Sequence, residues 1–402
     1  MGAEAPAAGG AQSLTTQLLI AHLISWGAFA VLLYVYFGYP PLLAVCRRFR
    51  RPRPRQPSAE QPHVTVVLAA WNEALVIREK IENTLHQHYP PDLLDLIVVS
   101  DGSTDATDRI VEDYVNRTGR VYLLQTRGRE GKSAALNLGV PAARGEIVVL
   151  TDANAVFRED AVAELVRVFS SPEVGAVSGQ LRLRAKDGLA EGESFYWRYE
   201  QKVKRAEAAC ESLLGANGSI YAIRRDLFRP LRPRDVNDFR IPYEVLLQGY
   251  AVVLAPEAIS YEEPAPSLWD EYRRKVRIMA RAIPTMLALL WPTLRRRKLF
   301  LAWQLVSHKL LREVQGIFFL AAFAGAVWGA MLSSRLLAVF GSAQLALYLL
   351  GVFAWGLPPV ARWRPGRYAA HYDMIVLASL AALWLWLTRR VRATWRPARA
   401  GK

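Results

Sequence analysis

An α/β domain with a parallel-dominated sheet, flanked on both sides by membrane helices, is the architecture this sequence predicts. Three observations lead there. Between about residues 62 and 262, apolar runs with β character alternate with helical patterns, the mark of a sheet covered on both faces. Two of those runs end in acidic punctuation: Leu96–Ser100 gives way to Asp101-Gly102-Ser103-Thr104-Asp105, and Ile147–Leu150 to Thr151-Asp152-Ala153-Asn154. Long apolar stretches stand before and after this region.

Within the domain, strands are expected at Val64–Ala70, Leu94–Ser100, Val121–Gln125, Ile147–Leu150 and Val174–Arg184. Helices are expected at Glu73–His88, Asp105–Thr118, Ser133–Ala143 and Asp160–Phe169. Some two hundred residues are enough for one well-buried core. Before it, Leu18 to Cys46 is almost continuously apolar, and Arg47, Arg48, Arg50, Arg51, Arg53 and Arg55 follow at once. A secretory signal would carry its basic residues first. The positive-inside rule therefore places the N-terminus outside and the domain in the cytoplasm, as expected of an integral plasma or inner membrane protein.

After the domain, Leu268, Trp269, Tyr272, Val276, Met279 and Ile283 recur at helical spacing among arginines, the pattern of a helix lying on a lipid bilayer. Val314–Leu332 and Leu336–Val360 are long enough to span, and Met374–Leu387 becomes so by including Tyr372 and its neighbours. Three spans here would leave the C-terminus outside, yet Arg389, Arg390, Arg392, Arg396, Arg399 and Lys402 argue for inside, so both topologies stay open. The domains read as 1–61 (N-terminal span and basic linker), 62–264 (cytosolic domain), 265–310 (interfacial helices) and 311–402 (C-terminal membrane region).

The net charge is +15, from 51 Lys+Arg against 36 Asp+Glu. Its arginines cluster beside apolar stretches, as juxtamembrane charges do, and no nucleic-acid-binding signature accompanies them, so nucleic acid is not expected as a partner. Hydrophobic residues make up 52%, high for a soluble chain. Cys46 and Cys210 are too few for a disulfide framework and lie outside zinc spacing, which suits a reducing compartment.

Open α/β sheets bind ligands where the strands end. Asn72 and Glu73 follow the first strand and are placed to touch a nucleoside, although Glu73 serves equally as a helix-start acid. Asp101 can accept from a base imide or ribose hydroxyl, with Ser103 or Thr104 capping the helix that follows. Arg127-Gly128-Arg129-Glu130-Gly131-Lys132-Ser133 offers glycines, cations and free helix amides to an anion, or is a solvated basic loop. Strand alternation puts Asp152 and Asn154 on one side, toward a diphosphate and its Mg2+ or Mn2+, with Asp152 the harder ligand.

The order Asn72-Glu73, Asp101-Gly102-Ser103, Gly131-Lys132…Asn137, Asp152-Ala153-Asn154, Gly215-Ala216-Asn217-Gly218-Ser219, Asn237-Asp238-Phe239 and Arg274-Lys275-Val276-Arg277 resembles the membrane-bound family 2 glycosyltransferases. That branch includes cellulose, chitin and hyaluronan synthases and the nodulation chitooligosaccharide synthases. The resemblance covers nearly the whole chain. It implies a GT-A, Rossmann-like domain that binds a nucleotide sugar. It places Asn72, Glu73 and Asp101 around the nucleoside and Lys132 near the diphosphate. Asn137 falls within the same donor-side motif. Asp152 and Asn154 take the Asp-x-Asp position that holds the nucleotide and a divalent cation. Gly215, Asn217 and Gly218 border the acceptor, Asp238 matches the general base, Arg277 lies near the leaving diphosphate, and Arg274 counts among the substrate-binding residues of the same motif.

The sequence departs from the pattern at Asn154, where a second Asp is usual, at Arg274 and Ile278, where Gln and Trp are usual, and at Ser100, where some members carry Asp. The expected reaction is inverting transfer from a nucleotide sugar, a UDP-sugar foremost, to a growing glycan or glycolipid. A polyprenyl-phosphate sugar synthase is the alternative within enzymes. A catalytically weak nucleotide-binding component, working with polysaccharide export partners, is the alternative outside them.

Overall fold

The computed structural model describes residues 8–49, 61–185, 188–189, 195–263 and 267–391. Of the basic residues noted above, Arg50, Arg51, Arg53, Arg55, Arg392, Arg396, Arg399 and Lys402 lie outside the described residues. The chain divides into two compact units. One comprises residues 42–266, 284–305 and 391–402, and the other residues 1–41, 267–283 and 306–390.

The first unit is built on a mixed sheet. Its strands are β1 (Val64–Ala70), β2 (Leu94–Ser100), β3 (Val121–Gln125), β4 (Ile147–Thr151), β5 (Val156–Phe157), β6 (Val174–Ala185), β7 (Gly188–Leu189), β8 (Tyr221–Arg224) and β9 (Ala251–Glu262). They are ordered β3-β2-β1-β4-β8-β6-β9-β5, with β7 paired to β6. From β3 to β4 all pairs are parallel, and β6 pairs parallel with β9; β8 and β5 run against their neighbours. Expected strand limits for β1, β2 and β3 agree with those observed.

Every residue of β1 and β2 is buried, which is why these runs are mostly apolar instead of alternating, with Thr65, Asp95 and Ser100 as buried polar exceptions. Val64, Val66 and Leu68 pack with Ile77, Ile81, Leu96 and Val98 on one face. Burying each such side chain contributes about 1.5–3 kcal/mol. The other face receives the helix Lys132–Ala142 at Gly139, where a Cβ would lie 2.7 Å from Val99 Cγ2 and 2.8 Å from Val67 Cγ1. Gly139→Ala is therefore expected to destabilise this unit by about 1–3 kcal/mol through overpacking, read as a lower melting temperature of the purified protein.

Two helices start later than the sequence patterning suggests. The first runs Ile77–Leu85, because Asn72 takes a left-handed φ of 53° and residues 71–76 turn instead of coiling. The second runs Thr107–Thr118, because Asp105 receives the Thr107 amide at 2.9 Å and so precedes the helix. Ser103 and Thr104, expected as its caps, bond to Asn72.

The N-terminal helix Ala8–Leu33, in the other unit, passes through a wider turn at Tyr34–Gly38 into Tyr39–Phe49, whose residues from Leu42 on belong to the first unit. Among the described residues, three helical stretches are long and apolar enough to cross a membrane: Ser13–Phe49, Arg335–Gly356 and Arg364–Leu387. The last contains Tyr372 and Asp373 within one continuous helix. The span expected at Val314–Leu332 forms as Gln315–Met331, only 17 residues, and passes the same test only with Leu299–Glu313, from which it bends by 64°. Small residues bring the apolar helices Ala8–Leu33 and Gln315–Met331 close: Ser25 Oγ donates to the Ala322 carbonyl at 2.9 Å, and a Cβ on Gly325 would lie 2.8 Å from the Ser25 nitrogen.

Candidate functional site

Strand register decides where the candidate side chains emerge. Ala70 pairs with Ser100, Ser100 with Gln125, and Leu68 with Thr151, so the turns after β1, β2, β3 and β4 leave the sheet at one edge. The first three of these turns are stitched together by side chains. Asn72 Oδ1 accepts from the Thr104 amide at 2.7 Å, and its own amide nitrogen donates to Ser103 Oγ at 3.2 Å. The Glu73 amide donates to Thr107 Oγ1 at 2.9 Å and the Ala74 amide to Asp105 at 3.1 Å.

Asp101 is fully buried at the same edge. Its carboxylate accepts from the Gly131 amide at 2.9 and 3.0 Å, from the Glu130 amide at 2.9 Å and from Thr126 Oγ1 at 3.2 Å. It thereby fixes the loop that delivers Lys132. Gly102, at φ 69°, lets that loop come in: a Cβ there would sit 2.9 Å from the Gly128 carbonyl carbon. Above it, the Arg129 guanidinium stacks 3.4 Å from the centre of the Trp71 ring.

β4 ends at Thr151, so Asp152–Asn154 is a turn and not a continued strand; strand alternation does not set the sides of these residues. The Ala155 amide closes that turn on the Asp152 carbonyl at 3.2 Å. Asn154 is exposed, whereas Asp152 is half-exposed and its carboxylate is ion-paired to the Lys132 ammonium.

Asp238 lies in the first turn of the helix Asn237–Gln248. Gly218 lies against it, for a Cβ on Gly218 would be 3.0 Å from Asp238 Oδ2 and 3.7 Å from Asp152 Oδ2. Two carboxylates thus converge over one glycine. Burial pushes the Asp238 carboxyl above the usual carboxylate range; Asp152 adds to this, while Lys132 and Lys204 oppose it. The Ala216 amide donates to the Asp238 carbonyl at 2.7 Å, and Gly215 packs on Phe239. Asn217 is buried and bonds to Lys204 Nζ at 2.9 Å, Gly179 O at 2.5 Å and Ser178 Oγ at 3.0 Å.

The structure thus brings Asp101, Lys132, Asp152, Gly218 and Asp238 into one connected set. Asn137 faces elsewhere: its amide accepts from the Leu231 backbone nitrogen at 2.7 Å and donates to the Leu231 carbonyl at 2.8 Å, clamping the segment before Asp238. Arg274 and Arg277 lie on the helix Leu268–Arg295 in residues of the second unit, where Arg274 forms a two-point pair with Glu271 at 2.8 and 2.9 Å.

Lys80 is absent from the sequence reading. Its ammonium is buried, donates to the Ala155 carbonyl at 2.7 Å and lies 3.4 Å from the Phe157 ring centre. Burial lowers its pKa to about 7, against the opposing pull of Asp152 and Glu262. The available signal was a lysine between Ile77, Ile81 and Thr84 on the apolar face of an amphipathic helix. Lys204 and Tyr221, the latter bonded to Asn237 at 2.9 Å, carried no pattern of their own.

Comparison with known proteins adds to this geometry. Residues 65–232 match the family model described as Glycosyl transferase family 2. The chain is similar to the beta-monoglucosyldiacylglycerol synthase of a Nostoc species, at 30% identity over 181 residues, 44% of this chain and 37% of that one. It is similar to the poly-beta-1,6-N-acetyl-D-glucosamine synthase of Staphylococcus epidermidis, at 25% identity over 248 residues, 59% of each. The chain spans about half the length of the curated relatives it matches. Among solved structures it resembles the mannosyltransferase PcManGT from Pyrobaculum calidifontis, in complex with GDP-Man and Mn2+. There the TM-score is 0.69 at 23% identity, over 92% of this chain and 100% of that one, which shows a common GT-A fold.

Proposed function

We propose, from the match of residues 65–232 to the family 2 glycosyltransferase model, that this chain is a membrane-bound inverting glycosyltransferase. It moves a sugar from a nucleotide sugar, a UDP-sugar in our reading, to a growing glycan or glycolipid acceptor. The observation that carries the reading is Asp238, a proton-hungry carboxylate set over Gly218 beside the Lys132-paired Asp152.

The acceptor hydroxyl gives its proton to Asp238 as its oxygen attacks the anomeric carbon. The anomeric C–O bond to the diphosphate breaks, and its electron pair leaves with the nucleoside diphosphate. One displacement inverts the anomeric centre. Lys132 meets the charge that grows on the leaving group. The role of Arg277 near the departing diphosphate, and that of Arg274 in substrate binding, rest on the sequence motif alone. The set formed by Asn72, Glu73 and Asp101 shapes the nucleoside end, and Asn217 with Gly215 and Gly218 the acceptor end.

A divalent cation, Mg2+ or Mn2+, fits Asp152, whose half-exposed carboxylate already holds one cationic group. No group of three or more His, Cys, Asp or Glu gathers among the described residues. In our reading the cation is held through the Asp152 carboxylate and the substrate's phosphates, with Asn154 beside it. When bound, the cation supplies further positive charge to the leaving diphosphate. Asn154→Asp is expected to retain or tighten metal dependence, seen as a lower Mn2+ half-saturation for nucleoside diphosphate release. Loss of donor binding in that variant would instead make Asn154 a nucleotide contact.

The charge distribution supports a cytoplasmic domain at residues 62–264, an N-terminus outside, and a bilayer-bound interfacial region at 265–310. The test is to give the purified full-length protein radiolabelled nucleotide sugars with Mn2+ or Mg2+ and to size the products. Oligomeric glycan or glycolipid supports the proposal. A polyprenyl-phosphate monosaccharide would replace it with the alternative synthase. No nucleoside diphosphate release with any donor would leave a binding component of an export assembly.

A further inference from the structure

A helix that the mechanism above does not use lies beside the acceptor loop. Along Phe195–Ala209, Gln201, Lys204 and Glu207 recur every three residues and are all buried, with Glu207 fully so. Long charged side chains are seldom buried unless they have partners. Two of these side chains, Lys204 and Glu207, reach the segment 211–219. Glu207 Oε2 accepts from the Leu214 amide at 3.4 Å, and Lys204 Nζ donates to Asn217 Oδ1 at 2.9 Å. Asn217 passes the connection on to β6, through Ser178 Oγ at 3.0 Å and Gly179 O at 2.5 Å. The next residue is Gly218, where a Cβ would stand 3.0 Å from Asp238 Oδ2.

We infer that Lys204 is a positioning residue of the acceptor side: through Asn217 it holds the Gly215–Ser219 loop at the height that leaves Asp238 free to meet an acceptor hydroxyl. The inference rests on the reading of Asp238 as the base. Removing the ammonium strands the buried Asn217 oxygen without that donor, and the loop must shift to solvate it. A shift of the order of 1 Å near a reacting group costs about 10²-fold in rate. Among the described residues, the charges of Lys132, Asp152 and Lys204 act on the Asp238 carboxyl, and that carboxyl acts in turn on Tyr221 of β8. Of these, Lys132 contacts Asp152 on the donor side, so Lys204 is the cation that belongs to the acceptor side.

The test compares Lys204→Met, Asn217→Ala and the double variant in the full-length protein, with nucleoside diphosphate binding measured alongside turnover. Lys204→Met is expected to lose about 10–100-fold in kcat, with nucleoside diphosphate affinity and donor KM changing less than about twofold. The double variant is expected to lose no more than the worse single one, because both act through one contact. Three results overturn the inference: wild-type kcat in Lys204→Met, losses that multiply in the double variant, or loss of nucleotide binding together with turnover, which marks a general structural role. An inactive wild type would remove the proposed function and this inference together. An active wild type, with Asp238→Asn inert and Lys204→Met unaffected, removes this inference alone.

Discussion

Asp238→Asn is expected to lower turnover by about 10²–10⁴-fold while leaving nucleoside diphosphate binding in place, since an amide cannot take the acceptor's proton. In the wild type, activity should fall as pH drops through the Asp238 pKa, which burial holds above the usual carboxylate range. The same shift makes a second, opposite prediction for stability. A carboxyl whose folded pKa is raised binds its proton more tightly in the native state than in the unfolded one. Its ionisation therefore costs stability; the cost is absent below the unfolded value and complete above the folded one. At neutral pH the Asn variant removes that cost, so it should melt higher than the wild type while turning over far more slowly. Steady-state kinetics and thermal unfolding on one preparation check both halves. A variant that is slower and also less stable would mean that Asp238 is a structural carboxylate.

Lys132→Met is the other large effect. Lys132 is the ion-pair partner of Asp152 and the strongest influence opposing the raised pKa of Asp238. Its loss removes a cation from the leaving-group side, for which a drop of about 10²–10³-fold in kcat/KM is expected. It also brings Asp152 and Asp238 together with less positive charge between them. The carboxyl then keeps its proton to higher pH, so the acid limb of the kcat/KM profile should move toward alkaline pH. Lys132→Arg should restore much of that limb, because it restores the charge. A lower kcat/KM with an unmoved profile would assign Lys132 to donor binding only.

Much of this was legible in the sequence because burial on both faces leaves a simple record. The mostly apolar runs of β1 and β2 read as interior strands, and the limits of β1, β2 and β3 follow from the residues that interrupt them. Helix starts were harder. Asn72 and Asp105 hold their neighbours by long-range side-chain bonds, and such partners, 31 or 32 positions apart, leave no local pattern. The Asp152–Asn154 turn was misjudged for a related reason: alternation is informative only while the strand lasts, and β4 stops one residue before it matters. Motif order drew attention to Asp238 and Gly218, but only the fold sets them against each other. Lys204 stayed hidden because a lysine in a basic, polar helix looks like surface until its partner is seen.

The interlocking of the turns after β1, β2 and β3 has a consequence for how this domain can change. Asn72 answers to Thr104, Glu73 to Thr107, and Asp101 to Gly131, so no one of these turns keeps its shape alone. A substitution that suits a new nucleotide in one turn is felt by the other two, and its effect depends on what they already carry. Donor preference in this scaffold should therefore evolve in sets of matched residues, with single steps penalised and the paired step tolerated. Libraries that vary position 72 together with 104, or 101 together with 130 and 131, would sample the viable routes, whereas scanning one position at a time would find mostly losses.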